Sequence, residues 1–148
     1  MNNYELEIEA NKLALKIEAD DGKLDKAYKQ FETEIKKIEK IMPIEAIIPD
    51  DNKSQALGLA RKEEEGGEVF WNIYSKSVKN KLCDPKGKLN KLANLGISTS
   101  AGAIATEIVS ILAFPPSALG LAVPIAAILA TTGLESYCEW SRKSENDS

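Results

Sequence analysis

Residues 95–134 read LGISTSAGAIATEIVSILAFPPSALGLAVPIAAILATTGL, forty positions with a single charge, Glu107, broken near the middle by Phe114-Pro115-Pro116. Two adjacent prolines cannot continue a helix, so the stretch predicts two antiparallel helices of about five turns each with a tight reversal between them. The first arm, from about Ile97 to Phe114, is weakly amphipathic. Ile104, Ile108 and Ile111 fall on one side, and Ser100, Glu107 and Ser110 form a polar edge on the other. The second arm, from about Ser117 to Leu134, is apolar all round, with Leu121, Ile125, Ile128 and Leu129 among its large side chains. Pro124 either kinks this arm or begins its regular part. A helix with no polar stripe has to be enclosed by protein or by lipid, and a chain of 148 residues has little polypeptide with which to enclose one.

Working outward, the hairpin is preceded by a basic stretch. Lys76, Lys79, Lys81, Lys86, Lys88 and Lys91 stand against one acidic residue, Asp84, and Arg142 and Lys143 follow the second arm. Tyr137 and Trp140 lie where that arm would leave a bilayer, and the uncharged apex Phe114-Pro115-Pro116-Ser117 could cross one. These residues predict a membrane-associating hairpin: Ile104, Ile108, Ile111, Leu121, Ile125, Ile128 and Leu129 would face lipid, and the six lysines would hold anionic headgroups. Ser100, Glu107 and Ser110 would face a wet lumen or a partner, because a lipid-facing carboxylate is costly at mid-helix. Small residues at four-residue spacing, Ser98, Gly102 and Thr106, would let the two arms approach.

The remainder of the chain is charged and helical. Leu6, Ala10, Leu13 and Ile17, then Leu24, Tyr28, Phe31, Ile35 and Ile38, keep helical spacing across Asp20-Asp21-Gly22. Two helices with a turn, or one long rod, both fit that pattern. Pro43 ends this part, and Ile44, Ile47, Ile48 and Pro49 predict a short apolar crossing. A helix over 53–65 stopped by Gly66-Gly67, and another over 68–82 stopped by the Asp84-Pro85-Lys86-Gly87 turn, complete an all-α reading. It divides as a charged amphipathic module over 1–82, a basic linker over 83–94, the hydrophobic hairpin over 95–140 and a polar tail over 141–148.

The chemistry that is missing is informative. The sequence contains no histidine, which removes imidazole-activated nucleophiles and imidazole metal sites. Gly87-Lys88 lacks the earlier glycine of a phosphate loop, and Asp50-Asp51-Asn52 opens no calcium loop because Gln55 and Arg61 occupy required positions. Glu63-Glu64-Glu65 reads as a solvated helix end. No enzyme, cofactor, metal or small-molecule substrate is expected, and the net charge of −4 argues against a nucleic-acid partner. The amino-terminal residues show no secretory signal, so the expected location is the cytoplasm, with the cytoplasmic face of the inner membrane, or insertion into it, as the membrane form. Cys83 and Cys138 are expected to be reduced thiols, although they flank the hairpin and could meet in space.

Two functions are therefore expected. One is a non-enzymatic membrane-associating helical protein, either a pore-forming or membrane-disrupting effector or a hairpin-anchored adaptor. The other is a soluble all-α protein–protein interaction module, or homo-oligomer, in which the apolar hairpin is the core of the bundle.

Overall fold

A computed structural model describes residues 2–43, 66–94 and 100–139, and the fold they form is all-α. The expected crossing at 44–49, the helix over 53–65, Ile97, Ser98, Trp140 and the polar tail lie outside the described residues.

The amino-terminal pattern resolves into two helices. Helix α1, Asn3–Ala19, is capped by the Asn2 side chain, which accepts from the Glu5 amide at 2.8 Å. Its end is a Schellman motif: the Gly22 amide donates to the Ile17 carbonyl at 2.9 Å and the Asp21 amide to Glu18 at 3.2 Å. Asp21 and Gly22 both take positive φ, +57° and +80°, and this turns the chain back into α2, Asp25–Glu39. The sevenfold spacing that runs through the turn reports two separate inward faces rather than one rod.

Helix α3, Gly66–Leu82, starts on the glycine pair that reads in sequence as a breaker. The reason is a close crossing with α2. A Cβ on Gly67 would lie 1.9 Å from the Tyr28 carbonyl oxygen, so only a residue without a side chain fits there, and the Gly67 amide points at Glu32 Oε1, 3.4 Å away. After α3 an Asx turn, with the Lys86 amide on Asp84 Oδ1 at 2.9 Å, leads into the short α4, Lys88–Asn94.

The hairpin is shorter than its hydropathy suggests. Helix α5 is Ala101–Leu112, and Ala113, at φ +53°, ends it by donating its amide to the Val109 carbonyl. Pro115 is extended, Pro116 opens a 3-10 helix over Pro116–Leu121, and α6 follows as Ala122–Thr132. Pro124 sits in the first turn of α6, where its missing amide hydrogen costs nothing, so it starts the regular helix and does not kink it. A last short helix, α7, spans Leu134–Cys138. Among the described residues, no helix is long and apolar enough to cross a membrane.

Packing places α6 at the centre. It contacts α1, α5, α2, the 3-10 helix and α7, while α1 also covers α5, and α3 lies on α2 and α5. Ile125, Ile128 and Leu129 are 0, 3 and 0 % exposed. The expectation that so short a chain could not enclose an apolar helix is therefore corrected. The enclosing surface comes from Leu6, Ala10, Leu13 and Ile17 of α1 and Phe31, Ile35 and Ile38 of α2, which are themselves buried. Each of these large side chains stabilises the fold by about 1.5–3 kcal/mol when fully withdrawn from water.

Two substitutions test this architecture. Leu129→Ala, which truncates a fully buried side chain of the central helix, is expected to cost about 2–5 kcal/mol. Gly67→Ala, which drives a methyl group into a backbone carbonyl, is expected to cost about 1–3 kcal/mol or more. Both are read from the midpoint of urea unfolding at unchanged slope. A Gly67→Ala midpoint equal to the parent's would show that α2 and α3 do not cross at this point.

Candidate functional site

The features that sequence singles out meet at the hairpin and the helices around it. Ser100 does not line a polar edge; it is the N-cap of α5, its Oγ accepting from the Ala103 amide at 3.1 Å. A second cap comes from α1, where Asn11 Oδ1 accepts from the Gly102 amide at 2.9 Å. A Cβ on Gly102 would stand 3.0 Å from Glu7 Cβ and 2.9 Å from Asn11 Nδ2. The small residue expected to join the two arms thus faces α1 instead. Thr106 returns its hydroxyl to the Ala103 carbonyl at 2.9 Å.

Glu107 and Ser110 do form an edge, and a lysine of the basic stretch occupies it. Lys88 Nζ donates to Ser110 Oγ at 3.3 Å and lies 3.9 Å from Glu107 Oε2. The Glu107 side chain is 30 % exposed, but its Oε2 is buried without a hydrogen bond. A pair this open and this long contributes little to stability. It does give the one charge of residues 95–134 an opposite charge within its own chain. Of the remaining lysines, Lys79 Nζ sits 5.4 Å from the centre of the Tyr137 ring, while Lys76, Lys81, Lys86 and Lys91 are exposed. Ile104, Ile108 and Leu121 are fully buried and Ile111 is partly so.

The base of the hairpin brings together the two cysteines that flank it. Cys83, just beyond α3, and Cys138, at the end of α7, are joined as a disulfide with their Cα atoms 5.3 Å apart. The expectation of two reduced thiols is corrected. Their meeting depends on α7 folding back on α3 across 55 residues, which residue counting cannot reveal. Around the bridge, Tyr137 shares a hydrogen bond with Ser75 Oγ and stacks on Trp71 at 6.3 Å between ring centres. Trp71 in turn stacks on Phe31 at 5.4 Å, and Phe70 on Tyr74 at 5.1 Å. Tyr137, expected at a lipid interface, is instead one end of an aromatic row reaching α2.

Burial raises the pKa of Tyr74 and Tyr137, the latter against a lowering by its Ser75 hydrogen bond. Tyr28 is raised by burial and by the nearby charges of Glu68 and Asp25. No group of acidic residues or cysteines among the described residues could hold a metal ion. A cavity of about 350 Å³ at the hairpin base is bordered by Ala93, Ile104, Leu129, Leu134 and Ser136 and offers no titratable side chain beyond Glu135.

Two measurements follow from this geometry. The double variant Cys83→Ser/Cys138→Ser releases a 55-residue loop, and the loss of stability is expected to approach about 4 kcal/mol in thermal or urea unfolding. The buried tyrosines favour their neutral form, so the folded state holds its phenolic protons to higher pH than the unfolded chain, whose tyrosines titrate near 10.0. Stability is therefore expected to be unaffected by these groups below about pH 9 and to fall as pH rises through 10. Tyr74→Phe should flatten that fall, and an identical alkaline decline in the variant would remove Tyr74 as its cause. No family model, curated protein or solved structure matches this chain.

Proposed function

We propose that the chain is a non-enzymatic all-α interaction module whose apolar hairpin is the core of its own bundle. The observation that carries this reading is the enclosure of α6 by α1, α2, α5 and the 3-10 helix. Side chains satisfied in this way need no lipid. The outward stripe of α1 supplies contact surface, since Tyr4 and Leu15 are 71 and 65 % exposed and stand about three turns apart on one side of the helix with Ile8 between. The partner is a protein, with a second copy of the chain as one form of it.

A second reading keeps the membrane. Helix α6 has no polar stripe, and α5 carries Glu107 and Ser110 together on one edge beside Lys88. If the covering helices swung away, the hairpin would present an apolar body with one polar edge, as a membrane-associating effector or anchor requires. In that reading the exposed Lys76, Lys81, Lys86 and Lys91 meet anionic headgroups.

One experiment separates the two. The full chain, purified without detergent, is passed over a sizing column with light scattering and then floated with phosphatidylserine-containing vesicles. The interaction module is expected to run as a single discrete species and to stay out of the vesicle fraction. Vesicle flotation that survives high salt and carbonate would overturn it in favour of the membrane form.

A further inference from the structure

The Cys83–Cys138 bridge is positioned to govern whether the end of the hairpin stays on its covering helix. We infer that it is a thiol-operated clasp: exchange with a low-molecular-weight thiol frees α7 from α3 and uncovers the aromatic face around Trp71. The inference rests on the fold and holds for either function proposed above.

Three observations carry it. First, the bridged helix has little hold of its own. Helix α7 has five residues, too few for a helix to persist in water, and residues at positive φ stand on both sides, Gly133 at +95° and Glu139 at +60°. Second, among the described residues α7 rests on α4 and α6 and is tied to α3 by the bridge, the Tyr137 hydroxyl on Ser75, the Tyr137 ring on Trp71, and Lys79 over that ring. The covalent link is the one member of this set that thermal motion cannot open. Third, the two cysteines differ in burial. Cys138 is buried and Cys83 only partly so, so the Cys83 side is the more open approach to the bridge for a thiolate.

The exchange balances as follows. A thiolate attacks Cys83 Sγ, forming a mixed disulfide, and Cys138 leaves as a thiolate that takes a proton from water. A second thiolate attacks the small-molecule sulfur of the mixed disulfide, and Cys83 leaves and is protonated in turn. Two thiols become one small-molecule disulfide, and the protein bridge gains two electrons and two protons. The freed α7 no longer covers Trp71, which is 6 % exposed in the bridged form. The surface so revealed is aromatic and apolar, with Lys79 at its border, and fits an apolar or aromatic segment of a protein partner.

The test uses the full chain carrying Trp140→Phe, so that Trp71 is the single fluorescent tryptophan. It is equilibrated without denaturant in glutathione buffers of rising reducing strength. The fraction bridged is read by thiol alkylation and gel shift, helix content by circular dichroism, and the Trp71 environment by emission wavelength. Reduction is expected with helix content kept, together with a shift of Trp71 emission to longer wavelength that reverses on reoxidation. Cys83→Ser/Cys138→Ser in the same background is expected to show the shifted emission at every buffer composition. A bridge that resists glutathione until the chain unfolds, a reduced chain with unshifted Trp71 emission, or loss of helix content in step with reduction would each overturn the clasp.

Discussion

A helix apolar on every side is the constraint around which this molecule is arranged. Residues 122–129 offer water no tolerable face, and the cost of leaving them exposed exceeds the margin by which a domain of this size is stable. The response is to bring helices from both ends of the described chain onto it: α1 on one side, α5 on another, α2 and the 3-10 helix closing the remainder. The covering helices are amphipathic for this reason. Their inner residues exist to meet α6 and α5, and their outer residues keep the assembly hydrated.

Close approach is the second theme, and it follows from the first. Surrounding one helix with several requires crossings tighter than ordinary side chains permit, and the chain places glycine at three of them, Gly120 of the 3-10 helix against Glu34 of α2 being one. Gly67 lets α3 lie against the Tyr28 carbonyl, and Gly102 lets α5 settle on α1, where Asn11 supplies a cap from a different helix. The polar groups at the hairpin mouth are handled with similar economy. Ser100 caps, Lys88 meets Glu107 and Ser110, and Ser75 meets Tyr137.

Sequence conveyed the class of fold and the existence of the hairpin because both rest on local rules: period 3.6, proline pairs and turn residues. Asp20-Asp21-Gly22 and Phe114-Pro115-Pro116 are legible as turns for that reason. What escaped was anything requiring knowledge of which surfaces meet. Gly66-Gly67 has the composition of a breaker and the role of a crossing, and composition cannot distinguish them. Small residues at 102 and 106 signal a close neighbour without saying which. The lysines before the hairpin look the same in one dimension whether they reach lipid or, like Lys88, reach back to Glu107. Count and spacing leave the state of two cysteines open, because their pairing is a product of tertiary folding.

The hydrogen bond from the Gly102 amide to Asn11 spans 91 positions. Most small helical proteins assemble from neighbours and do so quickly, because little chain entropy has to be surrendered before contacts form. Here the first helix takes much of its burial from α5 and α6, so closing the core joins segments far apart along the described chain, while its contact with α2 is local. Until that meeting occurs, Leu6, Leu13 and Ile17 have only the neighbouring α2 to lean on and lack the α5 and α6 surfaces that complete their burial, so a young chain shows water an apolar stripe that the finished one hides.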